Sequence, residues 1–126
     1  MLTDLQPKNV EKLIDDNSVI LIDVRREDEW RHTGVIKNAY LMTFFDAFGN
    51  HDANGWLNKL NEISPSKSTQ IVLICAHANR TRTIGNFLLE QGYSNVAHLS
   101  GGMAQWQMEQ KETIPYKNIK ANKEEV

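Results

Sequence analysis

Two short aliphatic runs constrain this chain most: Val19-Ile20-Leu21-Ile22 and Ile71-Val72-Leu73-Ile74. The first lies between Asp16-Asn17-Ser18 and Asp23, the second between a Ser/Pro/Lys segment and Cys75. A strand with one face in water alternates apolar and polar side chains. These runs do not alternate, so they read as strands buried on both faces, as in a parallel sheet covered by helices. Val96 to Leu99 reads as a weaker third strand and Ala39 to Met42 as a fourth. Amphipathic stretches fall between them. Pro7 to about Asp16 opens with a proline that costs no helical hydrogen bond there and repeats Val10, Leu13 and Ile14 at helical spacing. Thr81 to about Gln91 carries Ile84, Phe87 and Leu88 on one stripe, with Gly92 placed for a left-handed C-terminal cap. Gly102 to about Lys111 and Trp56 to Ile63 complete the set, and Phe44 to Gly55 reads as a long connection. Strands alternating with helices in this way define the α/β class.

The remaining composition narrows the function. At 126 residues and 24% charged the chain suits one globular domain, burying roughly two thirds of the surface exposed when unfolded without metal or disulfide staples. Residues 1–110 read as that domain and residues 111–126, nearly free of apolar side chains, as a solvent-exposed tail. With 14 basic and 16 acidic residues the net charge is -2, which lacks the positive field that nonspecific nucleic-acid or membrane-surface binding needs. Charged residues from Asp4 to Asp16 break every early apolar run, so neither an export signal nor a membrane span is expected. The one cysteine excludes an intrachain disulfide and a Cys-rich zinc site, and a reducing cytoplasmic setting is expected.

That cysteine sits in the most informative segment, Ile71 to Gly85, where a buried strand runs through a short polar loop into a helix. The carboxyl edge of an open α/β sheet is where ligands bind, and a loop opening a helix offers free backbone N–H groups at the positive end of the helix dipole. That field favours a thiolate, so Cys75 is the candidate nucleophile, without a dedicated general base; its bland alternative is a small buried hydrophobe ending a strand. His77 reads as a substrate contact or a solvent-exposed loop residue, and Asn79 as a turn former that tolerates left-handed backbone. Arg80 would pin an anion by charge or tie the loop to a carboxylate from another strand end. Thr81 is placed to cap the helix.

The pattern resembles the rhodanese family of sulfurtransferases, and the resemblance spans about residues 2–110. Leu21-Ile22-Asp23-Val24-Arg25 is similar to the family's strand ending in Asp-Val-Arg, and Glu27-Asp28-Glu29-Trp30 to the acidic-aromatic turn after it. Gly34-Val35-Ile36-Lys37-Asn38-Ala39 stands in the place of Gly-His-Ile-Pro-Gly-Ala. Cys75 to Arg80 matches the active-site loop in length, and Leu99 to Trp106 resembles the family's Gly-Gly…Trp element. Read without the family, Asp23 and Arg25 are a strand terminus with a surface ion pair, Trp30 and Trp106 are core aromatics, and Gly101-Gly102 is a turn.

The resemblance implies a rhodanese-like fold: a mostly parallel central sheet of about five strands flanked by helices on both faces. It also implies a Cys75 persulfide that carries sulfane sulfur from thiosulfate or a persulfide donor to a thiol or cyanide acceptor, with Ala76, His77, Ala78, Asn79 and Arg80 as the substrate-binding cradle and neither metal nor organic cofactor. A protein sulfur acceptor is a possible partner, and a monomer or weak homodimer is expected. Ala76 stands where thiosulfate-active members often carry a cation, which predicts poor thiosulfate turnover. Ala78 stands where glycine is common. Two alternatives come from other classes: a non-catalytic rhodanese-like recruitment module, and a Cys-dependent phosphatase. The phosphatase signature is one residue longer than the four between Cys75 and Arg80 and is preceded by His, where this chain has Ile74.

Overall fold

The computed structural model describes residues 1–117. Five strands, β1 (Thr3–Leu5), β2 (Val19–Asp23), β3 (Tyr40–Leu41), β4 (Gln70–Ile74) and β5 (Val96–Leu99), form one sheet in the order β1-β5-β4-β2-β3. Every pairing is parallel. Between the strands run α1 (Pro7–Leu13), α2 (Glu27–Thr33), α3 (Ala53–Ile63) and α4 (Asn79–Glu90), with α5 (Gly102–Met108) after β5.

Strand parity sorts the core into two layers. Leu21, Val72, Ile74, Ala97 and Leu99 face one way and pack with Val10 of α1, Trp30 of α2 and Met103 and Trp106 of α5. Ile22, Ile71, Leu73, Cys75 and Val96 face the other way and pack with Trp56 and Leu60 of α3 and Ile84 and Leu88 of α4. Both aliphatic runs are covered on both faces, which is why neither alternates. The sheet thus has the rhodanese-like layout: helices on both faces, all five strands parallel, and the carboxyl ends of the central β4 and β2 side by side.

Several elements depart from the reading of the sequence. β1 was not expected; it is a three-residue edge strand with mostly exposed side chains and leaves no apolar signature. α2 was expected as a turn, and it buries only Trp30, so no helical stripe marks it. Its signal is electrostatic. Glu27, Asp28 and Glu29 occupy the first turn, Arg31 and His32 the last, and Glu29 accepts from the Arg26 amide at 3.0 Å. α3 begins at Ala53, inside the stretch expected as a long connection, because Asp52 caps it by accepting from the Gly55 amide at 3.0 Å.

The stretch expected as a solvent-exposed tail from residue 111 makes specific contacts as far as it is described. Ile114 and Val35 exchange backbone hydrogen bonds of 2.8 Å, the Trp106 indole donates to the Glu112 carbonyl at 2.9 Å, and Tyr116 lies 5.5 Å from the Trp30 ring. Residues 118–126 lie outside the described residues. Among the described residues no helix is long and apolar enough to cross a membrane.

Candidate active site

Cys75 follows directly on β4 and is only 1% exposed. The chain then bends through Ala76, His77 and Ala78 and enters α4 at Asn79. The bend is closed by Ala78, which takes φ 71° and ψ 6°. Asn79 was the expected left-handed residue, but it is already helical. Ala78 therefore carries the strain that glycine would avoid, and the surrounding packing must hold it there. The first turn of α4 leaves its N–H groups without intrahelical partners, directed at the bend.

Two contacts hold the bend from outside. On one side the amides of Met103 and Ala104 donate to the carbonyls of Cys75 and Ala76 at 2.8 and 3.0 Å. The approach requires Gly102, whose φ is +62° and whose absent Cβ would lie 2.4 Å from the Ala76 oxygen. The Gly-Gly pair is thus a seat for the cysteine loop as well as a turn. On the other side Arg80 makes a bidentate pair with Glu29 of α2, at 2.8 and 2.7 Å. Arg80 thus ties the loop to a carboxylate, but one in the first turn of a helix and not at another strand end.

Burial by itself would raise the Glu29 carboxyl, but the Arg80 guanidinium and the Arg26 amide outweigh it and bring its pKa to about 2. The Glu29 hydrogen bonds likewise raise Arg80, against the effect of burial. Because the carboxyl is depressed on folding, its stabilisation is complete above about 4.5 and is lost as the pH falls towards about 2. Both side chains are about one fifth exposed, so the loss is expected to be about 1–2 kcal/mol, well below what full burial would give. Urea unfolding across that range should show the slope in the natural chain and a flatter one in Glu29→Gln; identical slopes would mean that the Arg80–Glu29 pair contributes nothing to stability.

Thr81 was expected as the helix cap. The cap position is Ala78, and Thr81, fully buried in the first turn, instead places its hydroxyl 3.5 Å from Cys75 Sγ. The same hydroxyl lies 2.8 Å from His98 Nδ1 on β5, and the other ring nitrogen of His98 bonds to the Asp4 carboxylate on β1. Sequence reading missed both His98 and Asp4.

A cleft of about 310 Å³ flanks the bend, lined in part by Arg25, Glu29, His32, Ala76, His77 and Met103. Ala76 and His77 are therefore cleft residues, while Asn79 is exposed beside it. Asp23 and Arg25 are not a surface pair: they are 0% and 1% exposed, joined at 2.8 and 3.0 Å, with Arg25 also donating to Thr33 and to the Gly34 carbonyl. Arg25 lines the cleft, and Asp23 holds it from behind. Among the described residues no group of three or more His, Cys, Asp or Glu side chains is placed to hold a metal ion.

A parallel five-stranded sheet with a cysteine bend at its carboxyl edge, seated on a Gly-Gly turn, is the layout of a rhodanese-like domain. The family model for the rhodanese-like domain matches residues 6–109, and the chain belongs to that family. It is 33% identical over 90 residues to Rhodanese domain-containing protein CG4456 of Drosophila melanogaster, covering 70% of this chain and 81% of that protein. Its fold is similar to the polysulfide-sulfur transferase homodimer of Wolinella succinogenes, with TM-score 0.71, 25% identity, and 94% and 82% of the two chains covered. It is also similar in fold to a thiosulfate sulfurtransferase of Pseudomonas aeruginosa, with TM-score 0.73 and 21% identity, over 92% of this chain and 21% of that one.

Proposed function

We propose that this domain is a sulfurtransferase that carries sulfane sulfur as a Cys75 persulfide. The observation that carries the reading is the bend itself: one buried sulfur at a strand's carboxyl end, enclosed by the segment Ala76 to Arg80 at the amino end of α4. The Cys75 thiolate attacks the outer sulfur of the donor. A bond forms between Cys75 Sγ and that sulfur, the donor's own S–S bond breaks, and its electron pair leaves with sulfite or a thiolate. The negative persulfide then lies among the amides of the bend, which stabilise it as an oxyanion hole stabilises oxygen. A thiolate or cyanide takes the outer sulfur in the second half-reaction and restores the Cys75 thiolate.

Cys75 is almost fully buried, so the donor presents its terminal sulfur to the bend while the rest occupies the adjoining cleft. With Ala76 in place of a cation, a persulfide donor is favoured over dianionic thiosulfate. A reducing cytoplasm, where thiol acceptors abound, fits this chemistry.

Intact-mass spectrometry of the reduced chain, after thiosulfate or a low-molecular-weight persulfide, tests the proposal. The expected result is a gain of one sulfur atom, larger with the persulfide, removed by cyanide and absent from Cys75→Ser. No labile sulfur from either donor, or a gain that survives in Cys75→Ser, would overturn it.

A further inference from the structure

A buried side-chain relay leads from Cys75 to the protein surface. Cys75 Sγ is 3.5 Å from Thr81 Oγ1, which is 2.8 Å from His98 Nδ1, and His98 Nε2 bonds to the Asp4 carboxylate. The three inner residues are at most 1% exposed, whereas the Asp4 side chain is 59% exposed. No sequence neighbourhood makes this line. The parallel register of β1 and β5 sets Asp4 opposite His98, and strand parity turns His98 towards α4. Gly85, one turn beyond Thr81, lets α4 approach that edge, since a Cβ there would meet the Leu2 side chain at 2.6 Å.

The donors and acceptors admit two consistent states. In one, the thiol donates to Thr81, the Thr81 hydroxyl donates to Nδ1 of a neutral His98, and Nε2–H donates to Asp4. In the other, every hydrogen bond between sulfur and ring has reversed: Nδ1–H donates to Thr81 and the hydroxyl donates to a thiolate. One moves to the other by breaking the S–H bond, forming an O–H bond at Thr81 and passing the hydroxyl's own proton to Nδ1. The result is a thiolate and an imidazolium, with no proton lost or gained overall.

We infer that His98, oriented by Asp4 and acting through the Thr81 hydroxyl, receives the proton that Cys75 sheds to become a nucleophile. Thr81 touches the reacting sulfur; His98 and Asp4 are positioning residues behind it. This deepens the sulfur-transfer reading and rests on it for its purpose, though the relay itself is a property of the resting thiol. His77, exposed on the cleft side, takes no part in the relay. The other charges around the pair are Arg80 of α4, which acts electrostatically on Cys75 and on Asp23 of β2, and Glu29 of α2, which holds Arg80.

The test is a pH titration of the thiolate by its ultraviolet absorbance, with Cys75→Ser as the blank, alongside the His98 ring resonances. In the natural chain the thiolate and the imidazolium should coexist over one pH range, the thiolate being lost at its acid end and the imidazolium at its alkaline end, as coupled sites do. Thr81→Val and His98→Gln should each lower the thiolate fraction at neutral pH about tenfold. Thr81→Ser, which keeps the hydroxyl, should titrate like the natural chain. Titrations of Thr81→Val and His98→Gln that superimpose on the natural one would overturn the inference, as would a Thr81→Ser as impaired as Thr81→Val. Sulfur loading is scored separately. A chain with the coupled titration that takes no sulfur keeps the relay and loses the proposed function, and one that loads sulfur with unaltered titrations does the reverse.

Discussion

Gly102→Ala is expected to destabilise the domain by about 2–4 kcal/mol and to prevent sulfur loading of Cys75. Two costs add. The residue sits at φ +62°, where an L side chain costs about 1–2 kcal/mol. The new Cβ would also lie 2.4 Å from the Ala76 oxygen and 2.5 Å from the Cys75 oxygen, closer than carbon and oxygen approach without bonding. Those oxygens have little room to retreat, because they accept from the amides of Met103 and Ala104. Relief therefore displaces the cysteine bend itself, so stability and activity fail together. Gly49→Ala is the control: φ is +83° there too, but nothing lies within 4 Å of the added carbon. Urea midpoints for both variants and the sulfur mass gain would decide the matter. If Gly102→Ala were as mild as Gly49→Ala, the seat beneath the bend would have no structural importance.

This seat shows where sequence reasoning stops. Gly101-Gly102 was legible as a turn and as part of a family resemblance, but its contact with residue 76 joins segments that only the sheet brings together. The same holds for Arg80 and Glu29, 51 positions apart, and for His98 and Asp4, 94 apart. The interior was legible for the opposite reason: β2, β4 and β5 are buried on two faces, and a continuous apolar run is the direct trace of that burial. β1 and α2 left no such trace, being short and buried at few positions. Cys75 and its bend were found because their chemistry is local, a strand end meeting a helix start. Ile114 and Tyr116 were discounted as tail because two apolar residues in a polar stretch make no pattern, yet each has a partner in the body.

The second large effect is expected at the buried pair behind the cleft. Asp23→Ala should cost about 3–5 kcal/mol, because it leaves the Arg25 guanidinium without its carboxylate in a site where water cannot replace it. The loss is more than one ion pair. Asp23 also accepts the Arg25 amide at 3.1 Å, and Arg25 in turn holds Thr33 at 2.8 Å and the Gly34 carbonyl at 3.0 Å, fixing the end of α2. Gly34 stands at φ +79°, packed against the Ile114 carbonyl, so disturbance there spreads to the segment that covers Trp30. Arg26 and Asp28 form the comparison: their pair, at 3.0 Å, is well exposed, and its removal should cost about 0–1 kcal/mol. A double replacement, Asp23→Leu with Arg25→Met, should recover much of the stability lost in Asp23→Ala, since no charge is then stranded. Urea unfolding of the three variants separates the possibilities. A cost below about 1 kcal/mol for Asp23→Ala would mean that solvent reaches the guanidinium through the cleft. A double variant as unstable as the single one would mean that the hydrogen bonds to Thr33 and Gly34, rather than the stranded charge, dominate. In the expected case the charge dominates, and the pair serves chiefly to hold the cleft's wall in one arrangement against the cysteine bend.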